Sequence, residues 1–284
     1  MRSLVRQFWK CIINSMYFIT FLKQIKMVKQ SKKEIVWRKV TPSKLNLLVQ
    51  HPEKFNNETL VIGSSLDLSG ITALTSLPMN LIVDGDLNLT NCTGLTSIPE
   101  NLKVGGVLIL EGCTGLTALP EALSIYGCIH MTDCTGLKSL PNNLVVPGCI
   151  DLTGCTGLTT LPENLKVKNR INLTGCTGLT TLPDKFQTND DLILIECTNL
   201  GSLPRNLQVG GHLVLSGCTN LTELPENIEV EDAIWINEKT GLTSISKNLK
   251  IGSVIFQGFF NKQTPDNKPE GLASNNRITW HNAA

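Results

Sequence analysis

The sequence predicts a solenoid of about ten stacked coils, and three observations carry that reading. Cysteine recurs at positions 92, 113, 134, 155, 176, 197 and 218. Proline recurs at 78, 99, 120, 141, 162, 183, 204 and 225, with the same step of 21 residues. Between these markers the aliphatic residues repeat in phase. A unit of this length is one short supersecondary element that cannot bury its own apolar side chains, so neighbours stack and share a continuous core.

The unit is well displayed by DLNLTNCTGLTSIPENLKVGG, residues 86–106. Leu66, Leu87, Leu108, Ile129, Ile150, Ile171, Leu192, Leu213, Ile234 and Ile255 share one slot, and Leu68 to Ile236 share the slot two residues on. Aliphatics spaced by two, with polar residues between, predict a short strand with one face in the core and one in solvent. Strands stacked at one period run parallel. The series Leu74 to Leu242, Leu77 to Ile245, Leu81 to Leu249 and Ile62 to Ile251 fill four further inward slots, with Phe186 and Thr188 as variants. Thr93-Gly94 signals a turn, and Pro99 cannot donate to a ladder, so the return limb is expected to be extended or a single tight turn.

The pattern LxLxxCxxL followed by xxLPxxLxV resembles the leucine-rich repeat, with Cys where Asn is usual. The Leu-Pro pairs at Leu119-Pro120, Leu161-Pro162 and Leu224-Pro225 are similar to the bacterial Leu-Pro (LPX) subtype of secreted effectors and their ubiquitin-ligase relatives. The resemblance covers roughly residues 60–258. It implies an α/β-type solenoid bent into a horseshoe. About ten short parallel strands would line its concave face, with extended or 3-10 limbs on the convex side. The related ligases carry a catalytic domain beyond the repeats, and that activity is not expected in the roughly two dozen residues that follow the last strand here.

Four segments are expected: 1–40, 41–59, 60–258 and 259–284. Residues 1–40 hold ten Lys or Arg against the single acid Glu34, a net +9, which leaves the rest of the chain at −8. A mildly acidic solenoid argues against a nucleic-acid groove. Cys11 to Leu22 is apolar but broken by Asn14, Ser15 and Thr20. It has the outline of a signal peptide without a cleavage site, and is short for a membrane span of about 20 residues. The change of character at Met27 also fits a start at that residue. In 41–59, Thr41 or Ser43 can cap a short helix with Pro42 in its first turn and an apolar face of Leu45, Leu47, Leu48 and Val49, predicting an N-terminal cap. Lys239, Ser246 and Gln257 interrupt the pattern at the far end, and 259–284 reads as a polar tail that Phe259, Phe260 or Trp280 could fold back.

Seven of the ten cysteines form the ladder, one strand spacing of about 4.8 Å apart. Reduced, buried thiols in a row suit a reducing compartment, so a cytoplasmic location is expected, with the host cytoplasm implied by the effector resemblance. Cys128 and Cys149 differ: they precede the strand on its solvent side in adjacent coils, with His130 and Asp151 two residues on. These four could close a zinc site or form a Cys-His nucleophile pair. No other catalytic motif is present and no cofactor is expected.

Core slots barely change between coils, whereas the solvent-facing slot runs Asp67, Asn88, Ile109, His130, Asp151, Asn172, Ile193, Val214, Trp235, Phe256. A uniform scaffold presenting a varied face suits recognition. Ile193, Ile195, Val214, Trp235 and Phe256 predict an apolar stripe flanked by Asp191, Glu196 and His212, with Trp235 as an anchor. His130, Asp151, Arg170, Asn172 and the row Thr132, Thr153, Thr174 form a polar region beside it. The expected function is a monomeric, non-enzymatic module binding a protein or peptide on this face, with a bacterial or phage-derived cytoplasmic scaffold as the alternative setting.

Overall fold

The computed structural model describes residues 34–243, 249–257 and 278–281. Cys11, Met27 and the basic segment 1–33 lie outside the described residues, as do Ser246, Phe259, Phe260 and most of the expected tail. Between these limits the chain is a parallel β-solenoid of about ten turns with very little helix.

Each coil carries two strands rather than the one expected. In the coil that shows this most simply, Lys103–Val104 is followed by a Gly105-Gly106 turn and then by Leu108–Ile109. The second strands, from Leu66–Asp67 to Leu213–Val214, build one continuous parallel sheet. Its ladder is regular: Leu87 N–H donates to Val107 O at 2.9 Å and Leu89 N–H to Ile109 O at 2.8 Å. The first strands pair among themselves on the return limb, so that Val83, Val104, Ile125, Val146 and Val167 are buried beneath their own short sheets.

The remaining turns follow from residue chemistry. Proline opens a tight turn in which its carbonyl accepts from the residue three on, as Pro99 O does from Leu102 N–H at 3.1 Å, a role that needs no N–H of its own. The residue before each ladder position is left-handed. Gly112, Gly154, Gly175 and Gly217 have φ between 67 and 80°, and Asn91, Asp133 and Glu196 adopt φ of 59, 58 and 56° at the same step. Glycine, Asn and Asp tolerate this region, while Glu pays a steric penalty there. At Gly94 the need is different, since a Cβ would sit 2.3 Å from Thr72 O of the preceding coil.

The core is a continuous column of the predicted slots, each Leu side chain removed from water contributing roughly 1.5–3 kcal/mol. The ladder thiols close it on one side. Cys92 Sγ donates to Leu68 O at 3.1 Å, and the same bond, from a cysteine to a strand carbonyl 24 residues earlier, recurs from Cys113 to Cys218 at 3.0–3.1 Å. Every cysteine among the described residues is a free thiol. Burial pushes the thiols of Cys113, Cys176 and Cys218 up to about 12, so they stay protonated donors. Thr188, the one polar residue in its slot, turns its hydroxyl onto Asp190 O at 2.7 Å.

At the N-terminal end, Glu34–Trp37 adds a parallel strand to Thr59–Ile62, an element the basic composition of residues 1–40 did not suggest. A helix over Pro42–Gln50 follows, capped by Thr41, whose hydroxyl accepts from Lys44 N–H at 3.4 Å. Leu48 and Phe55 are buried with Leu60 and Ile62 in the column, and Trp37 meets Phe55 edge to face at 5.4 Å.

At the other end the two strands of a coil fuse into one, Glu229–Asn237, because Glu231-Asp232 replaces the glycine-containing turn and runs extended. The next strand, Lys250–Gln257, pairs with it across a register shift: Val230 faces Ile251, but Ala233 faces Ser253. One residue, Gly252, spans what Glu231 and Asp232 span in the strand before. The 21-residue phase therefore fails here by one position. Val254, not Ile255, is opposite Ile234 and is buried; Ile255 is opposite Trp235, and Phe256 is opposite the buried Ile236. The expected alignment of Phe256 with Trp235 is corrected accordingly, as is the placing of Gln257 in the inward slot. Ile278–His281 extends the sheet beyond this strand, with Trp280 in register with Phe256.

Candidate functional site

The solvent side of the second sheet is a ladder of side chains in register. Asp67, Asn88, Ile109, His130, Asp151, Asn172, Ile193, Val214 and Trp235 are direct neighbours in that order, while the residues on either side of each in sequence are core. The pairing thus delivers the predicted row, up to the register shift that removes Phe256 from it.

Its polar members are tied into the backbone. Asp151 Oδ1 accepts from Thr153 N–H at 3.0 Å and from Thr153 Oγ1 at 2.6 Å. Asn172 Oδ1 accepts from Thr174 in the same way, at 3.1 and 2.7 Å, and Asn88 from Thr90. Asn172 Nδ2 then reaches across the ladder to Asp151 Oδ2 at 3.2 Å and to Thr153 Oγ1 at 3.0 Å. Each Asx residue closes a local turn with the Thr two residues on, the ordinary use of Asn and Asp at a strand end. Arg170 is exposed at the edge of this network.

The apolar members form a run on neighbouring strands. Ile193, Ile195, Val214 and Trp235 are all half-buried. Trp235 Nε1–H points at His212 Nδ1 at 3.3 Å, and the two rings meet edge to face at 5.9 Å. Asp191 Oδ1 accepts from the His212 backbone N–H at 2.8 Å, so Asp191 orders the coil below Trp235. Glu196, at the border of the run, is exposed and is one of the left-handed residues.

Of the four residues predicted to share a metal, the structure gathers three. One donor atom each from Cys128, His130 and Cys149 lies within 4.8 Å of the others. The two sulfurs are 2.6 Å apart, with Cys149 Sγ–H donating to Cys128 Sγ, which also accepts the Cys149 N–H at 3.0 Å. Asp151 is opposite His130 in the ladder but spends its oxygens on Thr153 and Asn172. Burial, reinforced by the Cys128 contact, pushes the Cys149 thiol up to about 11, with Arg170 acting weakly in the other direction. A residue the sequence reading passed over joins the group: Glu111 Oε1 is 3.7 Å from His130 Nδ1. Glu111 sits one coil before and two residues on from the His130 slot, a diagonal that periodicity alone does not flag.

No family model matches the chain, and no curated protein or solved structure is detectably similar to it. The leucine-rich resemblance therefore rests on the residue pattern alone. No helix among the described residues is long and apolar enough to cross a membrane.

Proposed function

We propose that this protein is a non-catalytic interaction module that binds a protein or peptide along the solvent side of its second sheet. The observation that carries the reading is the contrast within each strand: core rows hold Leu or Ile almost throughout, while the row between them changes at nearly every coil and includes a half-buried apolar run with Trp235 at its end. Solvent-facing apolar side chains in a contiguous run are what a contact site needs, and an aromatic with a polar tip is a frequent anchor. On this reading Ile193, Ile195, Val214 and Trp235 supply apolar contact. His212, Asp191, His130, Asp151, Arg170 and Asn172 supply the polar surroundings.

The leucine-rich resemblance makes this side the concave face of a horseshoe, with residues 41–59 as its N-terminal cap. The buried Leu48 and Phe55 at the first coil support that role for the helix. The same resemblance suggests a bacterial effector working in a host cytoplasm; a cytoplasmic scaffold of bacterial or phage origin is the other setting. A reducing compartment is consistent with a row of free, buried thiols. A nucleophilic role for Cys149 has less support, because nucleophilic cysteines need a lowered pKa and burial raises its thiol.

The test is a selection of displayed random peptides against the full chain, with binders then measured on two folded variants. Ile193→Asp combined with Trp235→Asp should abolish binding, and Val145→Asp, at an exposed position of the first strands, should leave it intact. Binders that are indifferent to the double variant would remove this face from consideration.

A further inference from the structure

Beyond the binding face, we propose that Cys128, Cys149 and His130 form a zinc site with one open position. Three features support it. Two thiols and an imidazole are brought together by the ladder: Cys128 immediately precedes the strand Ile129–His130, and Cys149 holds the same place before the neighbouring strand Ile150–Asp151. These are the ligand types zinc prefers, and their donor atoms already lie within 4.8 Å of one another. The sulfurs are 2.6 Å apart, and two thiolates on tetrahedral zinc with bonds of about 2.3 Å stand about 3.8 Å apart. The pair must therefore open by roughly 1 Å, which small χ1 rotations on half-buried side chains supply.

The second feature is Glu111. Ligating histidines commonly share their other ring N–H with a carboxylate, which fixes the tautomer. Glu111 Oε1 lies 3.7 Å from His130 Nδ1, beyond hydrogen-bond distance, and a shift of under about 1 Å would bring it onto an Nδ1–H and leave the Nε2 lone pair for the metal. The third is the backbone: Cys149 N–H already donates to Cys128 Sγ, a bond that favours thiolate at that sulfur.

Asp151 does not complete the set. Its carboxylate is held by Thr153 and Asn172, so the fourth position falls to water. Binding displaces one proton from each thiol to solvent, and the bound metal carries two thiolates, one imidazole and one water. Such an open site separates this centre from a closed structural one, which uses four protein ligands.

The experiment is a titration of the full, reduced, metal-free chain with zinc against a chromophoric chelator, repeated with cobalt(II) for its thiolate charge-transfer and tetrahedral d–d absorption. One equivalent of metal with both cobalt signatures is expected. Cys128→Ser, Cys149→Ser and His130→Ala, each verified as folded by circular dichroism, should each weaken zinc by tenfold or more. Glu111→Gln should weaken it about tenfold, and Asp151→Asn should leave it unchanged. Failure of the reduced chain to take up zinc overturns the proposal. So does uptake that survives Cys149→Ser, which would place the metal on the ladder thiols. Equal losses from Asp151→Asn and His130→Ala would refute the ligand set.

Discussion

Along the solvent side of the second sheet, the stretch from Asp151 to Thr174 and the stretch from Ile193 to Trp235 sit on the same scaffold and use it differently. Beneath both, the inward residues are fully buried leucines or isoleucines, and the same Cys-to-carbonyl bond closes each coil. Above, Asp151 and Asn172 are occupied by Thr153, Thr174 and each other, whereas Ile193, Ile195 and Val214 have no polar groups to satisfy and remain half in water. The lesson is that polar side chains on an exposed ladder are not automatically recognition groups. Those at the Asx positions serve the turn first, and the apolar neighbours are left as the surface with most to gain from a partner.

The largest effects should fall on the shared scaffold and test whether it is in fact shared. Leu152→Ala lies under the polar stretch and Leu215→Ala under the apolar one; both residues are fully buried. Each should cost about 3 kcal/mol in urea unfolding, within the range for Leu-to-Ala cavities. A large inequality between them would mean that the two stretches differ below the surface as well as on it.

The next effect separates the surfaces. Asp151→Ala removes the acceptor for Thr153 and for Asn172 and should destabilise by about 2 kcal/mol. Ile193→Ala gives up only a half-buried aliphatic and should cost less than about 1 kcal/mol. Chemical denaturation of the pair checks this, and the reverse order would collapse the distinction.

A smaller effect comes from the left-handed residue that ends each stretch. Gly175 has φ 69° and room around it, the nearest atom to an added Cβ being 3.7 Å away, so Gly175→Ala isolates the backbone cost at about 1 kcal/mol. Glu196 occupies the equivalent place after Ile195, and Glu196→Gly should stabilise by about 1 kcal/mol, read as a rise in the urea midpoint.

The smallest is electrostatic and belongs to the start of the ladder. Asp67 accepts hydrogen bonds from the Ser69 backbone and hydroxyl, which lower its pKa below the usual carboxylate value. A depressed folded-state pKa contributes stability that is present above the unfolded pKa of about 3.9 and is lost as pH falls through the folded value. Wild type should therefore lose stability below about pH 4 slightly more steeply than Asp67→Asn, whose amide oxygen keeps the turn without titrating. Identical acid limbs would show that the bond adds nothing.

Much of this architecture is legible in the sequence. Up to Trp235 the six inward slots, the Cys ladder and the solvent-facing row from Asp67 appear in the structure where the 21-residue phase puts them, because each core slot needs an aliphatic at every step; Ile245 lies outside the described residues and Ile255 is displaced by the register shift. The second sheet was harder to see. Lys103–Val104 and its equivalents show one inward residue and one variable residue, too short an alternation to announce a strand. The left-handed row was visible as Gly112, Gly154, Gly175 and Gly217 with Asn91 and Asp133, and was passed over because the stronger Cys signal sits beside it. Phe256 was misplaced since letters cannot show that Gly252 does the work of two residues.

By itself the sequence determined that these segments stack, which residues face the core as far as Trp235, and where the ladder cysteines sit, since a strict period with invariant aliphatics admits few other solutions. Only the tertiary structure decided what happens between coils. It fused two strands at Glu229–Asn237, shifted the register of the strand after it, and consumed the carboxylate of Asp151. It also brought Glu111 to His130 beside two sulfurs. The physical reason is that burial is set by each residue's own phase within a repeat, whereas hydrogen bonds, register and ligand clusters depend on pairs of residues about twenty apart meeting in space.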